Sequence, residues 1–454
     1  MNPKHEKIFL VSLGCAKNLV DSENMLGLLG QAGFWFAAEP AGADVAVINT
    51  CGFLQSAVEE AIDTILEVVD LKRKGNLKRV VVSGCMVQRY GHKLRKEIPE
   101  VDAWLGTAAI PKIVEAVESA ARSGAGQFYL SRPNYLADHT VPRVRTTPFY
   151  TSYLKIAEGC SHHCSYCMIP RLRGPYRSRP MDSLLCEAEE MVAAGVREIN
   201  LVAQDTTFYG NDSGGECSLE DLLQKLATVE GLQWIRLLYC HPDRISDRLL
   251  TLLESEEKIC PYLDVPFQHV NPEILRVMKR PVQKESPHEL IRRIQSMNRK
   301  IYLRTTVMVG FPGETRTMFQ ELFEFIEEMR FYHLGVFAFS PEKGTAAYRL
   351  ESRVDPRVAA ERRALLLERQ AIVSLEMNDN LVNTVLPVLV EGEYEETPLL
   401  LSGRTAAMAP DVDGRVLINR GRGIPGEIMP VRITEAHPYD LIGEIVDGPD
   451  TELF

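Results

Sequence analysis

The chain has 454 residues, 45% of them apolar and 25% charged, with a formal net charge of −11, the make-up of globular protein with room for about three domains of roughly 150 residues each. No apolar run approaches the ~18 residues needed to span a bilayer, and the first apolar stretch is short and carries no cleavage-site pattern, so a cytoplasmic protein without membrane partners is expected. The acidic balance argues against broad nucleic-acid binding, and ten cysteines in a reducing compartment point to metal ligation or burial rather than disulfides.

Residues 6–125 alternate short apolar runs with amphipathic stretches, predicting strands over 8–13, 44–49 and 79–83. Helices are predicted over 22–31, 56–72, 90–97 and 111–121. Runs this apolar suit parallel strands covered on both faces, hence an open parallel α/β domain. Each strand ends in a cysteine: Gly14-Cys15, Thr50-Cys51-Gly52 and Gly84-Cys85. In an open parallel sheet the strand carboxyl ends share one edge, so these thiols can converge into a three-cysteine cluster there. Three separately buried thiols are the alternative. Residues 126–148 carry Gly126, Pro133, Pro142 and Pro148 with Arg132, Arg143 and Arg145, and Gly124 lies just before them; the stretch reads as a linker.

From 149 to 376, six apolar runs, 153–157, 198–203, 234–239, 262–267, 303–309 and 334–339, alternate with helical segments such as 219–229 and 317–329. Six β/α units are too few for a closed eight-stranded barrel, so a partial (β/α)6 barrel with its active mouth at the strand carboxyl ends is predicted. Directly after its first strand comes Cys160-Ser161-His162-His163-Cys164-Ser165-Tyr166-Cys167. Three thiols leave one position of a metal centre unfilled. A zinc knuckle completed by His162, His163 or a distant residue is one reading, and a [4Fe-4S] cube with one open iron is the other. Further mouth positions are Gln204-Asp205, His241-Pro242, Gln268-His269 and Gly310-Phe311-Pro312-Gly313-Glu314. Gly310 and Gly313 would let backbone approach a ligand, unless the segment is only a turn. Cys186 is expected on the apolar face of a helix, and Cys217, Cys240 and Cys260 are expected to be structural.

Residues 378–446 change to short strands near 385–390, 399–401, 416–418 and 429–433 between Gly, Asp and Pro turns, predicting a small antiparallel β-barrel. From residue 378 to the last residue there are fourteen Asp and Glu against five Arg and no Lys, a net −9. Such a barrel would repel tRNA and attract a basic protein.

The central cysteine run, with Tyr166 at the aromatic position before its third cysteine, resembles the radical SAM superfamily. Taken with Ser12 to Asn18, Val20 to Glu23, Asn49 to Phe53, Ser83 to Cys85, Leu263 to His269 and Phe339 to Glu342, the whole chain resembles the methylthiotransferases. Lys17-Asn18 and Val20 to Glu23 resemble the branch that modifies an aspartate of small-subunit ribosomal protein twelve. The tRNA-adenosine branch and a non-catalytic iron-sulfur protein are the alternatives.

The resemblance implies a transferase with two [4Fe-4S] clusters, one on Cys160, Cys164 and Cys167 and one on Cys15, Cys51 and Cys85. It also implies S-adenosyl-L-methionine cleaved to a radical that takes a hydrogen from the substrate β-carbon, and an electron donor such as flavodoxin or ferredoxin. Cofactor contacts implied by it are Tyr166, Gln204 at the methionyl amino group and Gly310, with Gly313 beside it. The carboxy-terminal barrel resembles a TRAM domain, an RNA-binding module in relatives, although here it could simply brace the catalytic domain.

Overall fold

Short runs rich in valine and isoleucine, such as Val45-Ala46-Val47-Ile48 and Val80-Val81-Val82, are wholly buried and make the centre of the first sheet. In the computed structural model, which describes residues 6–120, 126–215, 217–280 and 284–446, that sheet contains β1 (Lys7–Ser12), β2 (Trp35–Phe36), β3 (Val45–Thr50), β4 (Arg79–Gly84), β5 (Ala103–Leu105) and β6 (Gln127–Tyr129). It is parallel throughout, in the order β2-β1-β3-β4-β5-β6. Helices α1 (Ala16–Gln31), α2 (Gln55–Arg73), α3 (Cys85–Glu97) and α4 (Ile113–Ser119) connect the strands and bury an apolar core on each face.

Two helices begin earlier than their periodicity predicts, α1 at Ala16 and α3 at Cys85. Lys17, Asn18, Asp21, Ser22 and Glu23 are polar yet buried, because neighbouring elements supply their partners. Asn49 Nδ2, for example, donates to the Asn18 carbonyl at 2.9 Å. Strand β6 falls in the stretch read as a linker and pairs with β5. The following segment is strapped down by Arg143, whose guanidinium reaches Glu23 at 2.6 Å and Glu187 at 2.8 Å. The predicted domain end at 125, Gly124, and the acidic Asp447, Asp450 and Glu452 lie outside the described residues.

The central unit runs β7 (Thr151–Lys155), β8 (Ala157–Glu158), α5 (Ile169–Arg173), β9 (Arg177–Ser178), α6 (Met181–Ala193), β10 (Glu198–Val202), α7 (Leu219–Ala227), β11 (Trp234–Leu237), α8 (Asp247–Ser255), β12 (Ile259–Asp264), α9 (Pro272–Val277), α10 (Pro287–Gln295), β13 (Tyr302–Val309), α11 (Arg316–Met329), β14 (His333–Ala338) and α12 (Pro356–Asp379). Its six long strands are parallel in the order β14-β13-β12-β11-β10-β7, and the end strands do not pair with one another, so the barrel is partial. Alternation along the strands sends Leu154, Ile199, Leu201, Ile235, Leu237 and Leu303 into the helix-covered core. It leaves Tyr153, Lys155, Asn200, Arg236, Asp264 and Arg304 on the concave face. That face is covered by Val20 of α1 and by Leu389 and Ala409 of the last domain, which share one buried cluster with Tyr153, Trp234 and Tyr262.

The last domain is a closed barrel of β15 (Val385–Tyr394), β16 (Thr397–Thr405), β17 (Val416–Arg420), β18 (Ile428–Ala436) and β19 (Leu441–Ile445), in the order β15-β16-β17-β19-β18. The purely antiparallel expectation needs one correction: β17 and β19 pair in parallel, because closure places the unpredicted fifth strand beside β17. Among the described residues no helix is long and apolar enough to cross a membrane.

Candidate functional site

Strands β1, β3 and β4 are adjacent and parallel, and with strands ~4.8 Å apart the residues just beyond their carboxyl ends fall within about 10 Å of one another. Cys15, Cys51 and Cys85 occupy those three places. The glycines there are required by packing. A Cβ on Gly52 would lie 2.6 Å from the Cys85 carbonyl carbon, and Gly84, at φ +103°, would drive one to 2.5 Å from Thr50 O.

The three thiols are not equivalent. Burial pushes Cys85 up to about 12 and also raises Cys51. For Cys15 burial acts in the same direction but is outweighed by the cations Lys17 and Arg173 and by the amides of Asn18 and Lys17 at the start of α1, so its thiol is held below the ordinary value.

The second set lies on the loop after β8. Burial, reinforced by neighbouring thiols, raises Cys160 to about 11 and Cys167 to about 12. The half-buried Arg280 feels both Cys164 and Tyr166, and its Nη2 donates to the Pro266 carbonyl at 2.7 Å. Tyr166 meets Phe311 edge to face at 6.5 Å, tying the cysteine loop to the Gly310–Glu314 turn. His162 is engaged elsewhere: its Nε2 lies 2.6 Å from Asp205 Oδ2 and its ring stacks on His241 at 4.6 Å. His163 is exposed.

Gln204 is half-buried beside Asp205 at the end of β10. The space a Gly310 Cβ would need is taken by Ala359 Cβ at 2.4 Å, and the Gly310 amide donates to Glu314, whereas Gly313 faces open space. One expectation is corrected: Cys186 is exposed rather than on the buried face of α6, while Cys240 and Cys260 are buried. The apolar stripe of α6 runs through Leu184, Ala188 and Met191 instead.

The two cysteine sets are linked at one point. Cys85 packs directly on Met168, which follows Cys167, and on Leu172 of α5. Around this contact lies a buried charge cluster that pattern reading did not find. Arg173 reaches Asp21 at 2.9 Å, Glu158 at 3.0 Å and Asn18 Oδ1 at 3.0 Å, and Lys155 pairs with Asp21 and, at 2.8 Å, with Glu158. A second link joins Glu342 to Arg89 at 2.9 Å and to the Gln55 amide at 2.7 Å, while Arg89 also caps the Gly52 carbonyl at 2.9 Å. Both links span more than 130 residues of sequence. Asn18, Asp21, Gly52 and Glu342 stood within recognisable motifs, whereas Lys155, Glu158, Arg173 and Arg89 did not.

Each set offers three soft sulfur donors with an arginine beside it, the half-buried Arg280 or the buried Arg173, which suits an anionic iron-sulfur cluster. Among the described residues no three or more His, Cys, Asp or Glu gather closely enough to hold a single metal ion, so the fit rests on donor chemistry and compensating charge.

Comparison with known proteins agrees along the chain. Residues 7–106 match the Uncharacterized protein family UPF0004, 154–326 the Radical SAM superfamily and 382–446 the TRAM domain. The solved structure of TsrM from Kitasatospora setae, a radical S-adenosylmethionine methyltransferase, shares the fold with a TM-score of 0.54 at 13% identity, covering 85% of this chain and 78% of that one. The ribosomal protein uS12 methylthiotransferase RimO of Geotalea uraniireducens is 48% identical over 97% of this chain and 98% of its own length. That of Geobacter sulfurreducens is 47% identical over 98% of this chain and 100% of its own. Relatives nearly half identical from end to end show that the chain belongs to the RimO family of ribosomal protein uS12 methylthiotransferases.

Proposed function

We propose that this chain is a radical SAM transferase that puts a methylthio group on the β-carbon of an aspartate of ribosomal protein uS12, with Cys160, Cys164 and Cys167 holding one [4Fe-4S] cluster and Cys15, Cys51 and Cys85 a second. The observation that carries the reading is the packing of Cys85 with Met168 and Leu172 across a domain boundary, which supports a site that draws on both cysteine triplets. When bound, the clusters and S-adenosyl-L-methionine supply the electron, the hydrogen-abstracting radical and the sulfur and methyl groups, chemistry that an unactivated C–H bond demands because no side-chain base can ionise it usefully.

The chain's own residues supply position and charge. Arg280 and Arg173 offset the negative charge of the thiolates, the tie between Tyr166 and Phe311 sets the cysteine loop against the Gly310–Glu314 turn, and the Arg173 and Glu342 links fix the distance between the triplets. Gln204 and the open backbone at Gly313 are placed to contact the cofactor. The polar groups of the concave face are roofed by α1 and by the last domain, which keeps bulk water from a reactive radical. A flavodoxin or ferredoxin is the class of electron donor such chemistry takes.

The test is anaerobic reconstitution with reductant, S-adenosyl-L-methionine and uS12. The expected product is uS12 carrying a methylthio group in place of one hydrogen, with about eight irons per chain. Replacing Cys160, Cys164 and Cys167 by Ala should halve the iron and abolish cofactor cleavage. Replacing Cys15, Cys51 and Cys85 should halve the iron while leaving formation of 5′-deoxyadenosine. Full iron content in the second triple variant would refute the second cluster.

A further inference from the structure

Two lysines are buried among the described residues, Lys155 at 3% exposure and Lys17 at 5%. They are not in equal circumstances. Lys155 meets two carboxylates. Among the described residues Lys17 pairs with no carboxylate: its ammonium sits 3.3 Å from the centroid of the Tyr239 ring, and the groups that attract it are that tyrosine and the Cys15 sulfur. Lysine is almost never buried without a partner, and a ring face offsets only part of the loss of water. The charge is therefore arranged for an anion that arrives from outside the chain.

Its surroundings indicate which anion. Tyr239 is held at φ +61°, a left-handed backbone that a bulky residue adopts only when its neighbours impose it. The imposing group is Asp264, whose Oδ2 accepts the Tyr239 amide at 2.9 Å. The other Asp264 oxygen makes no hydrogen bond and is met only by the Arg304 guanidinium at 3.7 Å. Lys17 lies two residues from Cys15, and it faces Tyr239 just past the carboxyl end of β11. Its ammonium thus stands between the amino-terminal thiols and the barrel mouth.

We infer that Lys17 is the substrate-binding residue that receives the side-chain carboxylate of the target aspartate, an inference that rests on the function proposed above. The β-carbon to be modified is bonded directly to that carboxylate carbon. Anchoring the carboxylate at Lys17 therefore holds the reacting C–H one bond away from a fixed point beside Cys15, and orientation of this kind is a main source of rate acceleration. Asp264 acts through Tyr239 and is a positioning residue.

The experiment uses the reconstituted full-length enzyme with uS12 carrying either the target aspartate or asparagine in its place, and measures binding of each by anisotropy of labelled uS12. Wild type is expected to bind the aspartate form roughly tenfold to a hundredfold more tightly, the range for a hydrogen bond to a charged group. Lys17→Met should bind both forms alike, with KM for the aspartate form raised and iron content and 5′-deoxyadenosine formation retained. Lys17→Arg should restore part of the preference. A Lys17→Met enzyme that still prefers aspartate, whether or not it has lost iron from the amino-terminal set, overturns the inference and assigns the charge to the cluster. Absence of methylthio transfer to uS12 by the wild type would overturn the proposed function and this inference together, an outcome visible before any variant is made.

Discussion

The two outer domains are seated on the same concave face by different kinds of seam. At the end of the barrel away from the cysteines, Glu198 accepts from Arg236 at 2.9 Å, from Arg404 of β16 at 2.7 Å and from Thr151 at 2.9 Å. Nearby, Asp413 takes Arg304 at 2.8 Å and the Tyr262 hydroxyl at 2.7 Å. These partners are all protein groups, and the thiol among them, Cys260, is buried and belongs to neither cysteine triplet, so this seam is a joint. At the mouth, Arg173 and Lys155 are likewise matched by Asp21 and Glu158, but Lys17 of α1, among the described residues, faces a tyrosine ring and the Cys15 sulfur instead of a carboxylate. A seam whose charges are all met only holds domains together, while one that leaves selected groups unmet also serves as a site. Buried ion pairs add little net stability over apolar packing, yet they cost about 3–5 kcal/mol when one partner is removed. They therefore act here to specify a single docking arrangement.

The sharpest way to break the comparison is to cut one charge from each seam. Glu198→Gln leaves Arg236 and Arg404 facing one another and should destabilise the protein by about 3–5 kcal/mol with iron content unchanged, measured by urea unfolding and iron assay. Arg173→Gln should cost a similar amount but also lower iron retention at Cys15, Cys51 and Cys85. If both variants lose iron equally, the joint and the site are not separable.

Acid gives a second, graded test. Burial acts to raise the pKa of Glu198, but Arg404 and Arg236 outweigh it and bring the carboxyl down to about 2. A carboxylate so depressed contributes stability that is complete above its unfolded value of about 4.3 and lost as pH falls through the folded value. The stability gap between wild type and Glu198→Gln should therefore be flat above about pH 5 and shrink from there toward pH 2. A gap that narrows instead on the alkaline side would contradict the assignment.

The smallest expected effect on stability lies farthest from both seams. Glu393, Glu395 and Glu396 are exposed at the β15–β16 hairpin, unlike Glu391, which pairs with Arg404 at 2.7 Å. Changing the three to Lys should alter stability by less than about 1 kcal/mol. It should nonetheless weaken binding to basic uS12, and wild-type binding should itself weaken as salt rises, while tRNA shows no measurable affinity at physiological salt. Unchanged uS12 binding by the reversal variant would remove the hairpin from the partner surface.

Much of this organisation is legible locally. Alternating apolar runs mark the two parallel sheets because buried strands must be apolar whatever they pair with, and the spacing of Cys160, Cys164 and Cys167 places three donors on one loop without reference to the rest of the fold. Cys15, Cys51 and Cys85 can be brought together from sequence by a topological rule, since each ends a parallel strand. Very short strands such as β5 and β6, the early starts of α1 and α3, and the parallel pairing of β17 with β19 escape such reading, because tertiary partners rather than local pattern stabilise them. Tertiary structure alone decided which polar residues would be buried and with whom. Arg173 and Asp21, or Glu198 and Arg404, carry no periodic signal, and their roles exist only once desolvation in a docked interface makes each charge require its partner. By itself the sequence determined the sheets, the two thiol sets and the likeness to a family; the seams, and the buried lysine left unmatched within one of them, came from the packing of the three domains, where removal from water turns an ordinary surface charge into a specific demand.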